Sequence, residues 1–357
     1  MEPAGAELRT LDVVQRTGLT FDFYAVSGDQ GSLDETLISD GHRVFHTRMS
    51  VSGLLRMVAA FRQRRYRVVH SHLGMASGPV LLAAALAGVP VRIAHFRSDG
   101  VGGKRGASKR LMLGLSRQLV DTFATRIIGV APSALEKGWN PRWPSDSRCQ
   151  VFPNGIDEAS LRRRAEHGLA GRPELKDRLI VVNVGRVEPS KNRGRAIRIW
   201  ERIARDNPST LYLVGQVNAA DKKLIESARR TVHSQSEIVE VGDTVDVPLY
   251  LGGAHALLVT STREGLPGVV LEALALGVPV VGSNLPGTEW IRDHVDGVAT
   301  LSLNQPDDDW VRAVYSAARL SRRRIVSSFD QGPFTLDNVM PSFERLWELR
   351  DSSSANE

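Results

Sequence analysis

Short runs rich in Val, Ile and Leu alternate with longer amphipathic stretches along almost the whole chain. Apolar runs of this kind are typical of buried parallel strands, and the stretches between them of helices that cross from one strand to the next. The pattern therefore predicts an α/β protein built from two doubly wound, Rossmann-like halves.

The hydrophobic runs place strands in both halves. In the first half, strands are predicted to begin at Phe21, Val68, Val91, Arg126 and Cys149, with helices near 51–65, 77–87 and 107–123. In the second half, strands are predicted to begin near Leu179, Leu211, Glu237, Ala256, Val278 and Gly297.

The boundary between the two domains is placed at a polar stretch, Asp157 to Arg178, that contains no strand pattern. We expect an N-terminal domain over 1–160, a linker over 161–178 and a C-terminal domain over 179–335. A last helix over 336–350 is expected to pack back on the N-terminal domain, and the tail 351–357 to be disordered. No repeat at solenoid spacing is present.

Composition narrows the class of protein. A chain of 357 residues with 42% apolar and 24% charged residues is typical of a globular protein of two domains. Its one cysteine, Cys149, excludes a disulfide framework and a cysteine-ligated zinc site. No apolar run approaches the ~20 residues of a membrane helix, and the start lacks a secretory signal pattern. We therefore expect a cytoplasmic location.

The net charge of +6 lies entirely in the first half, where residues 1–160 hold 20 Lys and Arg against 14 Asp and Glu. The basic residues cluster at Arg62, Arg64, Arg65 and Arg67, and at Lys104, Arg105, Lys109, Arg110 and Arg117. Such clusters fit an anionic membrane surface, a phosphate-bearing acceptor, or simply a solvated Arg-rich surface. Nucleic acid is the least favoured partner, because interleaved aromatic residues are lacking.

The first candidate loop follows the strand LIVVNV. It begins with Gly185 and Arg186, and four residues separate Arg186 from Lys191 at the start of an amphipathic helix. Glycine permits a tight turn, and two cations at a helix N-terminus can hold a diphosphate. Such pairs are also common in ordinary solvated loops, so this loop alone does not decide between the two interpretations.

The second candidate loop, after ALLVTS, is more specific. Pro267 suits the first helical position and Gly277 the helix end, which leaves the amides of Gly268 and Val269 for a phosphate. Glu272 lies on the same helix face and suits a neutral polyol such as a ribose. Glu264 precedes the helix, where sugar hydroxyls would lie. The alternatives are a surface carboxylate for Glu272 and a turn residue for Glu264.

The spacing of the two glutamates in EGLPGVVLEAL resembles the signature of glycosyltransferase family 4, the retaining nucleotide-sugar transferases of the GT-B fold. Other segments resemble the family in the same order, namely VGRVEPSKN, GVAPSAL and VFPNGID. VVHSHLGMASG followed by GVPVRIAHFRSD resembles its bacterial exopolysaccharide branch. The resemblance implies two Rossmann-like domains that face each other across a cleft.

The resemblance also implies roles for individual residues. It makes His95, Arg186, Lys191 and Glu264 catalytic, with His95 facing the donor sugar and the two cations neutralising the leaving nucleotide. His70 and His72 are weaker candidates for acceptor contacts. The donor site it implies consists of Gly185, Arg186, Lys191, Gly265, Leu266, Pro267, Gly268, Val269 and Glu272.

We expect neither a metal nor a cofactor besides the nucleotide-diphosphate-sugar co-substrate. The one Asp-x-Asp match, Asp307 to Asp309, lies far along the chain from both phosphate loops and is interpreted as a loop and helix cap. A Gly-x-Gly-x-x-Gly turn at a strand end is missing, which argues against an NAD-dependent dehydrogenase.

The chain departs from the family at its start. Met1 to Glu7 matches the end of the Gly-rich turn that usually follows the family's first strand, and we expect that strand to be missing from this chain. We expect two neighbouring strands to be left unpaired, and the true start to lie about ten to fifteen residues upstream.

The sequence thus predicts a glycosyltransferase that moves a sugar from a nucleotide-sugar donor to a glycan, lipid-linked or small-molecule acceptor in cell-surface polysaccharide or glycoconjugate synthesis. The helical segment 111–120 is a candidate for peripheral contact with an anionic membrane. Two alternatives stay open: a protein that binds nucleotide-sugars without catalysis, and a GT-B epimerase or hydrolase.

Overall fold

The computed structural model describes residues 5–100, 106–169, 172, 175, 177–244 and 246–347. The predicted tail 351–357, the turn residues Met1 to Ala4, and Lys104 and Arg105 lie outside these ranges. The chain forms two compact units: the first ends at Gly155 and resumes at Leu336, and the second runs from Ile156 to Thr335.

The first unit contains six strands and seven α-helices among the described residues. The strands are β1 Asp22–Ala25, β2 Arg43–His46, β3 Val68–Ser71, β4 Val91–Phe96, β5 Arg126–Gly129 and β6 Cys149–Val151. The helices are α1 Gly5–Thr17, α2 Leu33–Ser39, α3 Val51–Arg64, α4 Gly78–Leu86, α5 Ala107–Phe123, α6 Pro132–Gly138 and, from the end of the chain, α15 Leu336–Leu346. Short 3-10 helices lie at Gly74–Ser77 and Trp143–Ser145.

The strands of the first unit are all parallel and form two separate sheets, β1-β2 and β3-β4-β5-β6. In the described part of the chain, no strand pairs with the second edge of β1 or with the outer edge of β3, as the sequence comparison with the family led us to expect. The sequence pattern did not predict β2.

Helix α15 completes the core of the first unit. It buries Leu336, Val339, Met340, Phe343 and Leu346 against apolar residues of β4, β5 and α1. Its hydrophobic positions recur at intervals of three and four residues, which is the spacing that aligns side chains on one helix face. Sequence-distant residues therefore stabilise this unit.

The second unit alternates strands and helices almost without interruption. The strands are β7 Leu179–Val184, β8 Ser209–Val214, β9 Glu237–Gly242, β10 Ala256–Val259, β11 Val280–Ser283 and β12 Val298–Leu301. The helices are α7 Glu158–Ala165, α8 Arg193–Asp206, α9 Ala219–Ala228, α10 Val247–Leu251, α11 Gly268–Ala275, α12 Pro286–Arg292, α13 Asp307–Ala317 and α14 Arg322–Gln331, with a 3-10 turn at Pro189–Lys191.

The six strands of this unit form one parallel sheet in the order β12-β11-β10-β7-β8-β9. The order reverses between β7 and β10, and doubly wound sheets bind ligands at the carboxyl ends of the strands at such a point. Asn183 of β7 ties the two central strands together, because its buried side-chain amide donates to the Leu258 carbonyl at 2.8 Å. The loops after β7 and β10 are therefore neighbours.

The boundary between the units lies earlier than the linker placed at 161–178. Asp157 caps α7 by accepting a hydrogen bond from the Ser160 amide at 2.8 Å, and α7 then packs in the second unit. Leu161 and Ala165 are buried there. The segment is polar in composition because only one narrow face of α7 is covered.

Candidate active site

The loop after β7 folds back over its own glycine. A Cβ atom added to Gly185 would lie 3.1 Å from Cγ of Lys191, so glycine leaves room for the lysine to cross the backbone. The Arg186 side chain is 70% exposed and pairs with Glu188 at 2.9 Å. Asn192 then adopts a left-handed conformation, φ 48°, from which α8 begins.

The two candidate loops meet in one ion pair. Nζ of Lys191 donates to Oε1 of Glu264 at 2.7 Å, and Oγ of Ser261 donates to the same oxygen at 2.7 Å. The Lys191 and Glu264 side chains are only 24% and 13% exposed, so solvent screens this pair weakly. Lys191 and Glu264 were predicted from the sequence; Ser261 was not.

Backbone contacts fix the two loops to each other. The Thr262 amide donates to the Ser190 carbonyl at 2.7 Å, and the buried Thr260 hydroxyl donates to the Asn192 carbonyl at 2.9 Å. These bonds join residues about seventy positions apart in the sequence. They therefore fix the position of the loop that carries Arg186 and Lys191 relative to the loop that carries Glu264.

The start of α11 lies next in this loop. Pro267 is the N-cap, one position before the helical position we predicted for it, and Gly268 and Val269 are the first helical residues. Their N–H groups have no intrahelical acceptor, since a helix begins by leaving its first amides unpaired. A Cβ atom added to Gly268 would meet nothing within 4 Å, so open space lies beside these amides.

The other predicted residues support this helix start. Leu266 and Pro267 are buried. The backbone of Gly287 packs against the loop so closely that a Cβ atom on Gly287 would lie 1.6 Å from the carbonyl oxygen of Gly265. Glu272 lies partly buried on α11, one turn after Gly268. Gly277 ends the helix with φ 72°, as predicted.

Arg193 was not predicted as a site residue, although it connects the backbone at the ends of β7 and β8. Its guanidinium is buried and donates to the carbonyls of Gly215 at 3.0 Å and Val214 at 2.9 Å, and also to the Gly185 carbonyl. Burial lowers its pKa. Arg193 shares its helix face with Ile197 and Trp200, and this periodicity was the signal that it faces inward.

A polar pocket of about 190 Å³ opens beside Arg193. Its walls come from the loop after β7 and from the segment that leads into α9. The lining includes Arg186, Glu188, Asn192, Gln216, Asn218 and Asp221. Gln216 directly follows Gly215, whose carbonyl accepts a hydrogen bond from Arg193 at 3.0 Å.

His95, the predicted catalytic residue of the first unit, is 1% exposed near the end of β4. Its ring contacts those of His70 and His72, with centroids 5.2 and 5.0 Å away. Arg97, which the sequence analysis did not select, donates to Nδ1 of His72 at 3.2 Å. A cavity of about 20 Å³ lies among these four side chains.

Two groups of side chains have the chemistry of metal ligands. One ring nitrogen from each of His70, His72 and His95 lies within 4.8 Å of the other two, which is close enough for a shared ion. Asp307 and Asp308 instead begin α13 and pair with arginines of α8, Arg195 at 3.3 Å and Arg202 at 2.8 Å. The acidic run is therefore the first turn of α13, after the N-cap Pro306, and not the loop and cap that the sequence predicted.

Two models of known protein families match this chain, one in each half. Residues 11–160 match the family model described as Glycosyltransferase Family 4, and residues 178–319 match the model described as Glycosyl transferases group 1. The chain is a glycosyltransferase whose first half is a Glycosyltransferase Family 4 domain. Its enzyme class and the resemblance to that family seen in the sequence are confirmed.

This glycosyltransferase is similar to three curated proteins over most of their length. It is 28% identical to the putative glycosyltransferase EpsF of Bacillus subtilis, over 90% of this chain and 86% of that protein. It is 22% identical to the capsular polysaccharide biosynthesis glycosyltransferase CapH of Staphylococcus aureus, over 97% and 96%. It is 23% identical to the UDP-Gal:alpha-D-GlcNAc-diphosphoundecaprenol alpha-1,3-galactosyltransferase of Escherichia coli, over 87% and 86%.

Solved structures confirm the GT-B fold. Anabaena HepE in complex with UDP superimposes with a TM-score of 0.74 at 15% identity, over 97% of both chains. A glycosyltransferase from Rickettsia africae gives 0.74 at 14% identity, over 100% of this chain and 98% of the other. Among the described residues of this glycosyltransferase, no helix is both long and apolar enough to cross a membrane.

Proposed function

We propose that this glycosyltransferase binds a nucleotide-diphosphate-sugar in its second unit, with the diphosphate between the loops after β7 and β10. The observation that carries the proposal is the pairing of Lys191 with Glu264, which brings a cation and a sugar-binding carboxylate together beside the unpaired amides of α11. The HepE structures in complex with UDP and with UDP-glucose make a UDP-sugar the first donor to test.

In the proposed reaction the bond between C1 of the sugar and the diphosphate oxygen breaks, and its electron pair leaves with the nucleotide. Arg186, Lys191 and the amides of Gly268 and Val269 stabilise the negative charge that develops there. The acceptor hydroxyl oxygen bonds to C1, and its proton leaves with the diphosphate. These groups supply the positive charge that a divalent cation would otherwise provide, so we propose a metal-independent transfer.

We further propose that configuration at C1 is retained and that attack occurs on the face the nucleotide leaves. Such a step needs no carboxylate nucleophile. Asp99, the carboxylate nearest His95 in sequence, accepts a hydrogen bond from Ser133 at 2.8 Å and lies 3.6 Å from Nζ of Lys137. These partners fix Asp99 toward α6, which supports a mechanism without it.

The first unit would receive the acceptor, and we propose a lipid-linked or cell-surface glycan. The Escherichia coli relative is named for a diphosphoundecaprenol-linked acceptor, and CapH for capsular polysaccharide. Helix α5 exposes Leu111, Met112 and Leu115 at 77, 63 and 62%, next to the exposed Arg110. This combination favours peripheral contact with an anionic membrane.

The donor claim is tested by thermal melting of the chain with UDP, GDP, ADP and their common sugars. A ligand at about 100 times its Kd stabilises the folded state by about 2.7 kcal/mol. We expect a shift with one nucleotide that is lost in the Arg186→Ala/Lys191→Ala variant. A cooperative melt without any shift would exclude donor binding by this chain.

Product analysis separates transfer from the alternatives. We expect free nucleoside diphosphate and a glycosylated acceptor with retained anomeric configuration, at a rate that EDTA leaves unchanged. An intact epimeric nucleotide-sugar would instead indicate an epimerase, and binding without turnover a sugar-nucleotide sensor.

Sedimentation with phosphatidylglycerol vesicles tests the membrane contact. Neutral phosphatidylcholine vesicles and a Leu111→Ser/Leu115→Ser variant are the controls.

A further inference from the structure

The hydrogen bonds around His95 determine which ring nitrogen carries its proton. Nε1 of Trp347 lies 3.2 Å from Nδ1 of His70, and an indole N–H can only donate. Nδ1 of His70 therefore accepts, and the neutral ring carries its proton on Nε2. That N–H faces Nδ1 of His95 at 3.1 Å, which accepts in turn. A neutral His95 must then carry its proton on Nε2.

The neutral state follows from the surroundings. Burial lowers the pKa of His70 to about 3 and the pKa of His95 well below its usual range, with the charge of Arg97 acting in the same direction. His72 is neutral for the same reasons. Its Nδ1 accepts from Arg97, so its proton also lies on Nε2.

Donors without partners remain at this cavity. Nε2 of His95 and Nε of Arg97 are both buried and have no hydrogen-bond acceptor among the described residues. The other Arg97 contacts are neutral: Oγ1 of Thr10 at 2.8 Å, Oδ1 of Asn154 at 2.9 Å and the His72 ring. A buried guanidinium without a carboxylate is costly, and so is a buried N–H without an acceptor.

The charges around the cavity favour an anion over a metal ion. Arg9 also lines the cavity and pairs with Asp12 at 3.0 Å. Glu7 of α1 acts on Arg97 from a distance and forms no ion pair with it in the described part of the chain. The assigned proton on Nε2 of His95 presents a donor, not a lone pair, to a ligand, and Arg97 repels a cation. A volume of about 20 Å³ holds about one oxygen atom.

We propose that this cavity binds one negatively charged oxygen of a phosphate or carboxylate, with His95 and Arg97 as donors. Trp347 and His70 are positioning residues that hold His95 in the tautomer that donates. If the proposed function holds, the oxygen belongs to the acceptor; the binding site itself does not depend on turnover.

The test is NMR of the full chain labelled with ¹⁵N in histidine and arginine side chains. We expect His70, His72 and His95 to carry their protons on Nε2. Inorganic phosphate should shift the His95 Nε2–H and Arg97 Nε–H signals saturably, and acetate does so if a carboxylate is also accepted. Glycerol, which is neutral, should leave them in place.

Variants separate positioning from folding. Trp347→Phe keeps an aromatic ring but removes the donor to His70, so we expect protonation on Nδ1 to appear at His70 and His95 and phosphate affinity to fall about tenfold. Trp290→Phe is the matched control, because Trp290 also packs on a histidine, His294, in the second unit. Arg97→Gln should abolish the phosphate shift, and Arg97→Lys should retain part of it.

Several outcomes would overturn the proposal without any variant. They are a wild-type His95 with its proton on Nδ1, signals that phosphate does not move, or stoichiometric Zn²⁺ binding that removes all three Nε2–H signals. UDP is titrated into the same sample. Failure of UDP to bind would refute the donor site and leave the phosphate result at His95 unaffected.

Discussion

Lys191 and Glu264 come from different loops and form one short ion pair. The pair holds the glutamate carboxylate in place beside the Ser261 hydroxyl. A bound diphosphate would compete for the lysine, and Glu264 would then be free to accept hydrogen bonds from sugar hydroxyls. At the proposed site, a donor would thus meet charges that are already paired and oriented.

We expect Lys191→Ala to lower kcat by about 10²- to 10³-fold, because it removes a cation that would stabilise the negative charge developing on the leaving diphosphate. Steady-state kinetics with the donor found by melting provides the measurement. Lys223→Ala, an exposed lysine of α9, is the control and should behave as wild type. Wild-type kcat in Lys191→Ala would remove this residue from the mechanism.

We expect Gly268→Ala to weaken nucleotide diphosphate binding at least tenfold without loss of stability. The new methyl group meets no protein atom, so it would occupy only the space proposed for the phosphates. Calorimetric titration and thermal melting check the two parts. Gly114→Ala in α5 is the matched control, since that glycine is also helical and open. Unchanged affinity in Gly268→Ala would move the diphosphate away from α11.

The sequence predicted the residues of this site whose loops follow recognisable strands. It did not predict Arg193 and Arg97. An arginine can be buried only where acceptor groups surround its guanidinium, and here those acceptors come from segments distant in sequence. Arg193 needs the carbonyls of Gly215 and Val214, and Arg97 needs Thr10 and Asn154. Such partners come together only in the folded chain.

At the level of elements, the strands of the second unit begin within two residues of their predicted positions, because a sheet covered on both faces requires continuous apolar runs. Strand β2 was missed. Its four residues, Arg43 to His46, have exposed ends and, within the described part of the chain, pair only with β1. The helix α7 was read as part of a linker because it contains three consecutive arginines, Arg162 to Arg164.

Helix α15 permits a quantitative test of its role. Phe343→Ala removes a buried ring that packs on Phe152 and Trp347, and we expect the free energy of unfolding of the first unit to fall by about 3 to 5 kcal/mol. Chemical denaturation followed by tryptophan fluorescence measures it. The neighbouring Arg345→Ala is exposed and should change stability by less than about 0.5 kcal/mol. Equal effects would mean that α15 contributes no specific packing.

For the whole molecule, the histidine cluster predicts acid sensitivity. Burial lowers the pKa of His70 to about 3 and those of His72 and His95 well below 6.5, so below pH 6.5 the unfolded chain binds protons that the folded chain excludes. Stability therefore falls as the pH drops from 6.5 toward 3. Each histidine that stays neutral in the folded chain contributes about 1.4 kcal/mol per pH unit below pH 6.5.

We expect the three histidines together to cost the first unit about 4 kcal/mol between pH 7.5 and 5.5. Urea denaturation at both values measures the difference. His167→Gln, which replaces an exposed histidine of the second unit, should leave the pH dependence unchanged. A denaturation midpoint that does not move between these pH values would contradict the neutral, buried state on which the tautomer assignment also depends.

The return of α15 to the first unit has a consequence for synthesis on the ribosome. The 180 residues from Ile156 to Thr335 must be translated before α15 emerges, which takes roughly 10 to 35 s at ~5 to 20 residues per second. During that interval the apolar strip that α15 will cover stays open to chaperones and to other nascent chains. The unit that begins first is therefore the last to be finished.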